Sequence, residues 1–420
     1  MTSIAASEPS GAGRVRPPVV LECEPGADHA VNVDEALVGR YRLPDPLRFE
    51  DGAVVTSATW PDRRREILHL FEDHVFGRTP LTMIEATSEE VETGLALGGA
   101  AVRRQLRLGF ENDGGRVQIE VLIYRPADAS GPVPVFLLPN FEGNHTVADD
   151  AAIVISDAVA QMTGDDVPPR GSKRRRFPIA AILERGYGLA TFHAGDVDPD
   201  HDDGFANGVH PLHYAVGQTV PEPYEWGTIG AWAWGCSRVL DALHTDSGVD
   251  GDRVIVGGHS RLGKTALWAA AQDERFAAAF SNDSGCTGAA LSRRVFGENV
   301  AVINALFPHW FCRNYRCYGD NESALPVDQH QLLALIAPRP VHVASATEDL
   351  WADPVGEFLA ARAVNPVYEL LGEDGLAIDT FPEAGEASIG TVSYHLREGP
   401  HDLVEADWWH YLDFADRHIG

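Results

Sequence analysis

Val254-Ile255-Val256-Gly257-Gly258-His259-Ser260-Arg261-Leu262-Gly263-Lys264 places a serine between a β-branched run and a helical pattern. The run predicts a short buried strand over Arg253 to Gly257, and Gly263 to Gln272 predicts a helix. The chain must therefore turn sharply at Ser260, with small residues on either side where strand and helix crowd together. A serine whose Oγ stands exposed on a strained strand-to-helix turn has the setting of a nucleophile elbow. The match to G-x-S-x-G is incomplete. Gly258 fits, Leu262 holds the second glycine position, and Gly263 follows one residue late. The competing reading makes Ser260 an ordinary helix N-cap whose hydroxyl satisfies first-turn amides.

Outward from this turn, strands alternate with helices. Val117 to Tyr124 alternates apolar and polar residues and predicts a half-buried strand. Val133 to Leu138, Tyr187 to Phe192, Phe276 to Ser281 and Pro340 to Ser345 predict further strands. Helices are expected over Trp60 to Gly77, Trp226 to His244 and Glu405 to Arg417. This order predicts an α/β fold, a three-layer α/β/α sandwich around a mostly parallel sheet. Ligand sites in such sheets lie beyond the strand carboxyl ends. The expected organisation is a disordered or extended segment over 1–40 and a single catalytic domain over 41–420.

Composition narrows the classes. The 420 residues carry a formal net charge of -29, so a basic face for nucleic acid is not expected. The basic run Arg170 to Arg176 reads as a solvated loop. No stretch is long and apolar enough for a membrane span. Met1 to Val20 has no apolar h-region, so a cytoplasmic location is expected unless a native signal has been removed. Gly263-Lys264-Thr265 lacks the earlier glycine of a phosphate loop, and Asp196 to Asp203 lacks the spacing of an EF-hand. That acidic run is read as loop capping or active-site rim, with no metal and no cofactor expected. The five cysteines, Cys23, Cys236, Cys286, Cys312 and Cys317, form no CxxC pair. Buried free thiols are the expectation; one bridge from Cys286 to Cys312 or Cys317 stays open. Trp226, Trp232 and Trp234 are expected in the core.

The departure at the elbow is itself informative. Gly258-His259-Ser260-Arg261-Leu262-Gly263-Lys264 resembles the G-x-S-R-x-G-K signature of glucuronoyl esterases, carbohydrate esterase family 15. Further segments look like bacterial members, in the same order. They include Asn140-Phe141-Glu142-Gly143-Asn144-His145, Gly195 to Asp200, Ser281 to Cys286, Phe307-Pro308-His309-Trp310-Phe311, Glu348 to Asp353 and His401-Asp402. The resemblance covers roughly Phe110 to the C-terminus. It implies an α/β-hydrolase fold and a serine esterase acting on esters of 4-O-methyl-glucuronic acid, as between xylan and the alcohols of lignin.

In that fold the base comes last in the chain, which favours His401 over His395, His410 and His418. The family's catalytic histidine matches His401 too. Two acids compete. Asp349 follows the strand ending at Ser345, the fold's usual place; Asp283 stands where fungal members carry Glu, one methylene shorter. A shared arrangement is favoured, since both acids sit on loops at strand C-termini. The amide of Arg261 is an oxyanion donor by the geometry of an elbow, and the resemblance adds its guanidinium. The resemblance also places Lys264, Glu298 and Trp351 at the sugar. Read alone, these are a solvated lysine, a helix-surface carboxylate and a core tryptophan. The partner expected is a glucuronate-ester carbohydrate. Rival readings are another carbohydrate esterase, such as an acetyl xylan esterase, and a non-catalytic binding protein on the same fold.

Overall fold

Alternating β-branched runs and amphipathic helices assemble, in the computed structural model, around one sheet. The structure describes residues 2–4, 16–17, 19–21, 31–164 and 166–420. Among these, eleven strands occur: β1 (Thr2–Ile4), β2 (Ala86–Ala96), β3 (Ala101–Asn112), β4 (Gly115–Pro126), β5 (Val133–Asn140), β6 (Gly188–His193), β7 (Val249–His259), β8 (Ala278–Asn282), β9 (Val341–Ala346), β10 (Ala387–Ser388) and β11 (Val392–Arg397). Their order is β1-β2-β3-β4-β6-β5-β7-β8-β9-β11-β10. The stretch from β6 to β11 is parallel. β1 to β4 extend it as antiparallel neighbours, and β10 closes the far edge.

Both faces are covered, so the parallel strands are buried on both sides and read as continuous apolar runs. One core gathers the helices Trp60–Phe71, Thr228–Thr245 and Arg261–Gln272. The other holds Ile179–Glu184 and Glu405–His418. This is the α/β-hydrolase sandwich expected. The chain passes from β5 to β6 over the second face and from β6 to β7 over the first. β5 and β7 are neighbours, so a crevice opens between their carboxyl ends, the topological switch point of the sheet.

Several expectations are refined. The helix expected over Trp60 to Gly77 is α-helical to Phe71 and continues as a wider π turn through Phe76. Trp226, Trp232 and Trp234 are buried as expected. Cys236, Cys286 and Cys312 are buried free thiols, so the bridge from Cys286 to Cys312 or Cys317 is not made. Cys317 is disulfide-bonded, with neither of them. Much of the 1–40 segment lies outside the described residues. Where described, it is held: Arg16 pairs with Asp73 at 2.7 Å, and the Leu21 amide donates to Asn314.

Candidate active site

The elbow forms where β7 meets the helix Arg261–Gln272. Ser260 adopts φ 58° and ψ -131°, outside the regions that side-chain-bearing residues favour. Two glycines make the turn feasible. A Cβ at Gly257 would meet the Phe280 ring at 1.9 Å, and one at Gly258 would meet the Leu262 carbonyl at 2.1 Å. The Ser260 amide donates to the Asn282 carbonyl at 2.9 Å, tying the turn to β8. Its hydroxyl makes no capping bond to its own helix. The N-cap reading therefore fails, and Ser260 stands half-buried on a strained turn.

His401 and Asp349 come from loops that lace together. Beyond β11, the Arg397 guanidinium donates to the carbonyls of Glu398, Pro400 and Asp402 at 3.0, 2.7 and 2.9 Å. Beyond β9, the Glu348 amide donates to the Gly399 carbonyl at 2.9 Å, and the Gly399 amide donates to Thr347 at 3.1 Å. Asp349 caps the short turn Leu350–Ala352. Between these loops His401 Nδ1 bonds Asp349 Oδ2 at 2.5 Å. The His401 side chain is 41% exposed and that of Asp349 only 4%, so one ring nitrogen is anchored inside while the ring faces out.

Asp283 stands beside this pair. One atom each from Asp283, Asp349 and His401 lie within 4.8 Å of one another. Yet Asp283 Oδ2 faces Arg397 at 3.4 Å, and its Oδ1 is buried without a partner. Burial, with Glu357 and Asp349 alongside, pushes its carboxyl well above the ordinary range against the pull of Arg397. The sharing of His401 between two carboxylates is not what this geometry displays, because the histidine's hydrogen bond goes to Asp349.

A second histidine backs the first. His259 lies 4.5 Å from His401, ring to ring, and its Nδ1 bonds Asn282 Oδ1 at 2.7 Å. Burial and the adjacent His401 push it well below the ordinary value, so it is a neutral wall.

Arg261 opens the helix after Ser260. Its guanidinium bonds Asp200 at 2.5 Å and lies 4.6 Å over Trp310, 5.2 Å over Phe307 and 5.9 Å over Phe141. Its Nε is buried without a partner, a fixed donor beside the serine. Burial opposes the charge on Asp200, but bonds from His309, Arg261 and Trp310 outweigh it and hold the group at about 2. Asp200 thus makes the acidic run part of the site's rim. Asp196 bonds Ser156 and His193, and Asp198 bonds Thr228.

Lys264, Glu298 and Trp351 also come together. Lys264 is buried, and its Nζ donates to the carbonyls of Ser284 and Cys286 at 2.5 and 2.6 Å. It lies 3.6 Å from the buried Glu298 carboxylate. The Glu298 amide donates to the Trp351 carbonyl at 2.8 Å, and Trp351 is 44% exposed. None of the three fits its isolated reading as solvated lysine, surface carboxylate or core tryptophan. His259 and Arg397 escaped the sequence reading. His259 lay in the elbow motif itself, one residue before the serine; Arg397 carried no signal, since a loop tether is written in geometry.

The chain resembles known proteins along most of its length. A family model described as glucuronyl esterase, fungi, matches residues 191–372. Carbohydrate esterase MZ0003, from an unknown prokaryotic organism, is 47% identical over 399 residues, 92% of each chain. The solved structure of a promiscuous CE15 esterase from a marine bacterial metagenome superposes with TM-score 0.86 at 46% identity, covering 93% of this chain and all of that one. The glucuronoyl esterase of Solibacter usitatus superposes with TM-score 0.87 at 42% identity, covering 92% and 100%.

Proposed function

This chain belongs to the glucuronoyl esterases, carbohydrate esterase family 15, and is a carboxylic ester hydrolase; from that premise we propose that it cleaves esters of (4-O-methyl-)glucuronic acid, as in lignin–carbohydrate linkages, through Ser260, His401 and Asp349. The observation that carries the reading is a strained serine whose neighbour His259 lies 4.5 Å, ring to ring, from a histidine anchored on Asp349, followed by an arginine with an orphaned donor.

The chemistry runs in two steps. His401, its Nδ1 bound to Asp349, takes the Ser260 proton on the opposite ring nitrogen as Oγ attacks the uronoyl carbonyl. The Arg261 amide and guanidinium receive the charge that develops on the carbonyl oxygen. A fixed cation there is worth more than a neutral donor. The carbon–oxygen bond to the alcohol breaks, and His401 returns the proton to the leaving oxygen. Water then attacks the acyl-enzyme with His401 again as base. Lys264, Glu298 and Trp351 take the sugar hydroxyls and ring on the acyl side, contacts that an acetyl group lacks. The test is hydrolysis of benzyl glucuronate by the wild-type protein and by Ser260→Ala. Turnover by the wild type and a loss of about 10⁴-fold or more in the folded variant are expected. Ordinary turnover by Ser260→Ala would sink the mechanism.

A further inference from the structure

Two loops far apart in the chain meet at Arg261. One follows β6 and carries Asp200; the other carries His309 and Trp310. Both are fastened to the first turns of the helix Thr228–Thr245. The Thr228 hydroxyl donates to Asp198 at 2.6 Å, and the Trp232 indole donates to the Asp198 carbonyl at 2.9 Å. The amides of Thr228 and Ile229 donate to the carbonyls of His309 and Trp310 at 2.9 and 3.1 Å. Gly227 permits this approach, since a Cβ there would meet the Trp310 carbonyl oxygen at 2.5 Å. Building on the functional reading above, in which Arg261 stabilises the oxyanion, we propose that Asp200 is a positioning residue: with His309 and Trp310 it fixes the Arg261 guanidinium for the transition state before the ester arrives.

The clamp uses both oxygens of one carboxylate. Asp200 Oδ1 accepts from His309 Nε2 at 3.1 Å and from the Trp310 indole at 2.8 Å, and Oδ2 accepts from Arg261 Nη1 at 2.5 Å. Two donors on one loop thus aim the carboxylate, and the carboxylate aims the guanidinium. The Trp310 ring also lies 4.6 Å from the guanidinium and stacks on Phe307 at 3.7 Å, with planes 2° apart. Trp310 therefore holds Arg261 twice, through its face and through Asp200. The side chains of Asp200 and Arg261 are each 29% exposed, so burial alone does not lock either.

An arginine has a long side chain with many rotamers. Left free, it would be ordered only as charge develops, and that loss of freedom would oppose the reaction. Donors fixed in advance avoid the loss. With Nη1 engaged by Asp200, Nε stays buried and without a partner, so the clamp restrains one end of the group and leaves another donor for the oxyanion. These three bonds of Asp200 all go to side chains of other segments, which is not the pattern of an aspartate capping its own loop.

A double-variant cycle of Asp200→Asn and Arg261→Met tests the clamp on benzyl glucuronate and on phenyl acetate, with folding checked by circular dichroism and Tm. Acylation and deacylation both pass through an oxyanion, so kcat reports the clamp whichever step limits it. Arg261→Met should lose about 10²-fold in kcat. Asp200→Asn should lose about tenfold, with KM within about twofold of wild type, because the contact matters only as charge forms. In the Arg261→Met background the same substitution should cost less than about twofold, since nothing remains to be positioned. Asp200→Ala, which removes the carboxylate altogether, should follow the same pattern and stands in if the Asn variant misfolds. A loss of equal size in both backgrounds, or one confined to KM, overturns the proposal, as does a kcat within about twofold of wild type in both Asp200 variants. Arg261→Met at the wild-type rate overturns the oxyanion role of Arg261, and the clamp with it. Failure of the wild type on benzyl glucuronate alone overturns the glucuronate reading, and the phenyl acetate cycle then still decides the clamp.

Discussion

At the scale of single residues, the proposed mechanism turns on the contact between His401 and Asp349. The acid must fix the imidazole tautomer and stabilise the imidazolium formed on attack. Asp349 meets both needs, bonded at 2.5 Å on a turn that it caps itself. Asp283 meets neither. It lies within 4.8 Å, but its backbone sits at φ 46° and its carboxyl faces Arg397, pushed by burial toward the protonated form. A carboxyl turned to Arg397 and pushed toward its protonated form offers less to an imidazolium, so nearness does not make it a partner. Asp349→Asn should therefore lose about 10⁴-fold in kcat, the scale of imposing the wrong tautomer, while Asp283→Asn stays within about tenfold of wild type. The double variant should be no worse than Asp349→Asn by more than the small Asp283 effect. Measuring kcat for the three decides it; a disproportionately dead double variant would restore the sharing that the sequence favoured.

At the scale of elements, the site depends on how helices are clamped to strand ends. The helix Pro354–Ala363 is joined to β9 and to the loop after β8 through one side chain. Glu357 bonds Ser345 at 2.6 Å, the Gly285 amide at 2.9 Å and Ser284 at 3.1 Å. Burial pushes it up from 4.5 to about 8, with Asp349 adding to the push and the hydrogen bonds opposing it. A carboxyl whose folded value is raised contributes its full stability below its unfolded value and loses it as pH rises through the folded one. Wild-type stability should therefore decline between about pH 4.5 and pH 8 from this group. Glu357→Gln keeps the shape without the titration. Its Tm should equal or fall below that of wild type at pH 5 and exceed it by a few degrees at pH 8.5. Parallel Tm–pH curves would refute the assignment. The same scale shows what could be read in advance. The parallel strands around Ser260 were legible because each is an apolar run. β3 was not, because its inward positions include Arg103 and Gln105, satisfied by Glu92, Asp150 and the Ala152 carbonyl. β2 was missed because most of it is polar and exposed or half-exposed. In β11, buried His395 bonds His342 and Asp407, and that pairing erases the apolar pattern. Ser260, Arg261 and His401 stood on motif and chain order, whereas the loop tether of Arg397 exists only in three dimensions.

At the scale of the whole molecule, the net charge of -29 acts on any charged substrate before contact. The ester bond is uncharged, but a xylan carrying free uronates is a polyanion, and like charges slow encounter. Within the basic run Arg170 to Arg176, Lys173 is paired with Glu142 and Arg176 with Asp402, which reduces its pull on the polymer. Salt shortens the reach of the field, from about 30 Å at 0.01 M to about 10 Å at 0.1 M. Raising ionic strength over that range should therefore raise kcat/KM on a uronate-bearing polymeric ester severalfold. The same change should leave kcat/KM on benzyl glucuronate nearly constant, since that ester carries no charge to repel. Parallel salt series on the two substrates separate encounter from chemistry. A fall in polymer hydrolysis with salt would mean that the basic run attracts the polymer more strongly than the rest of the surface repels it.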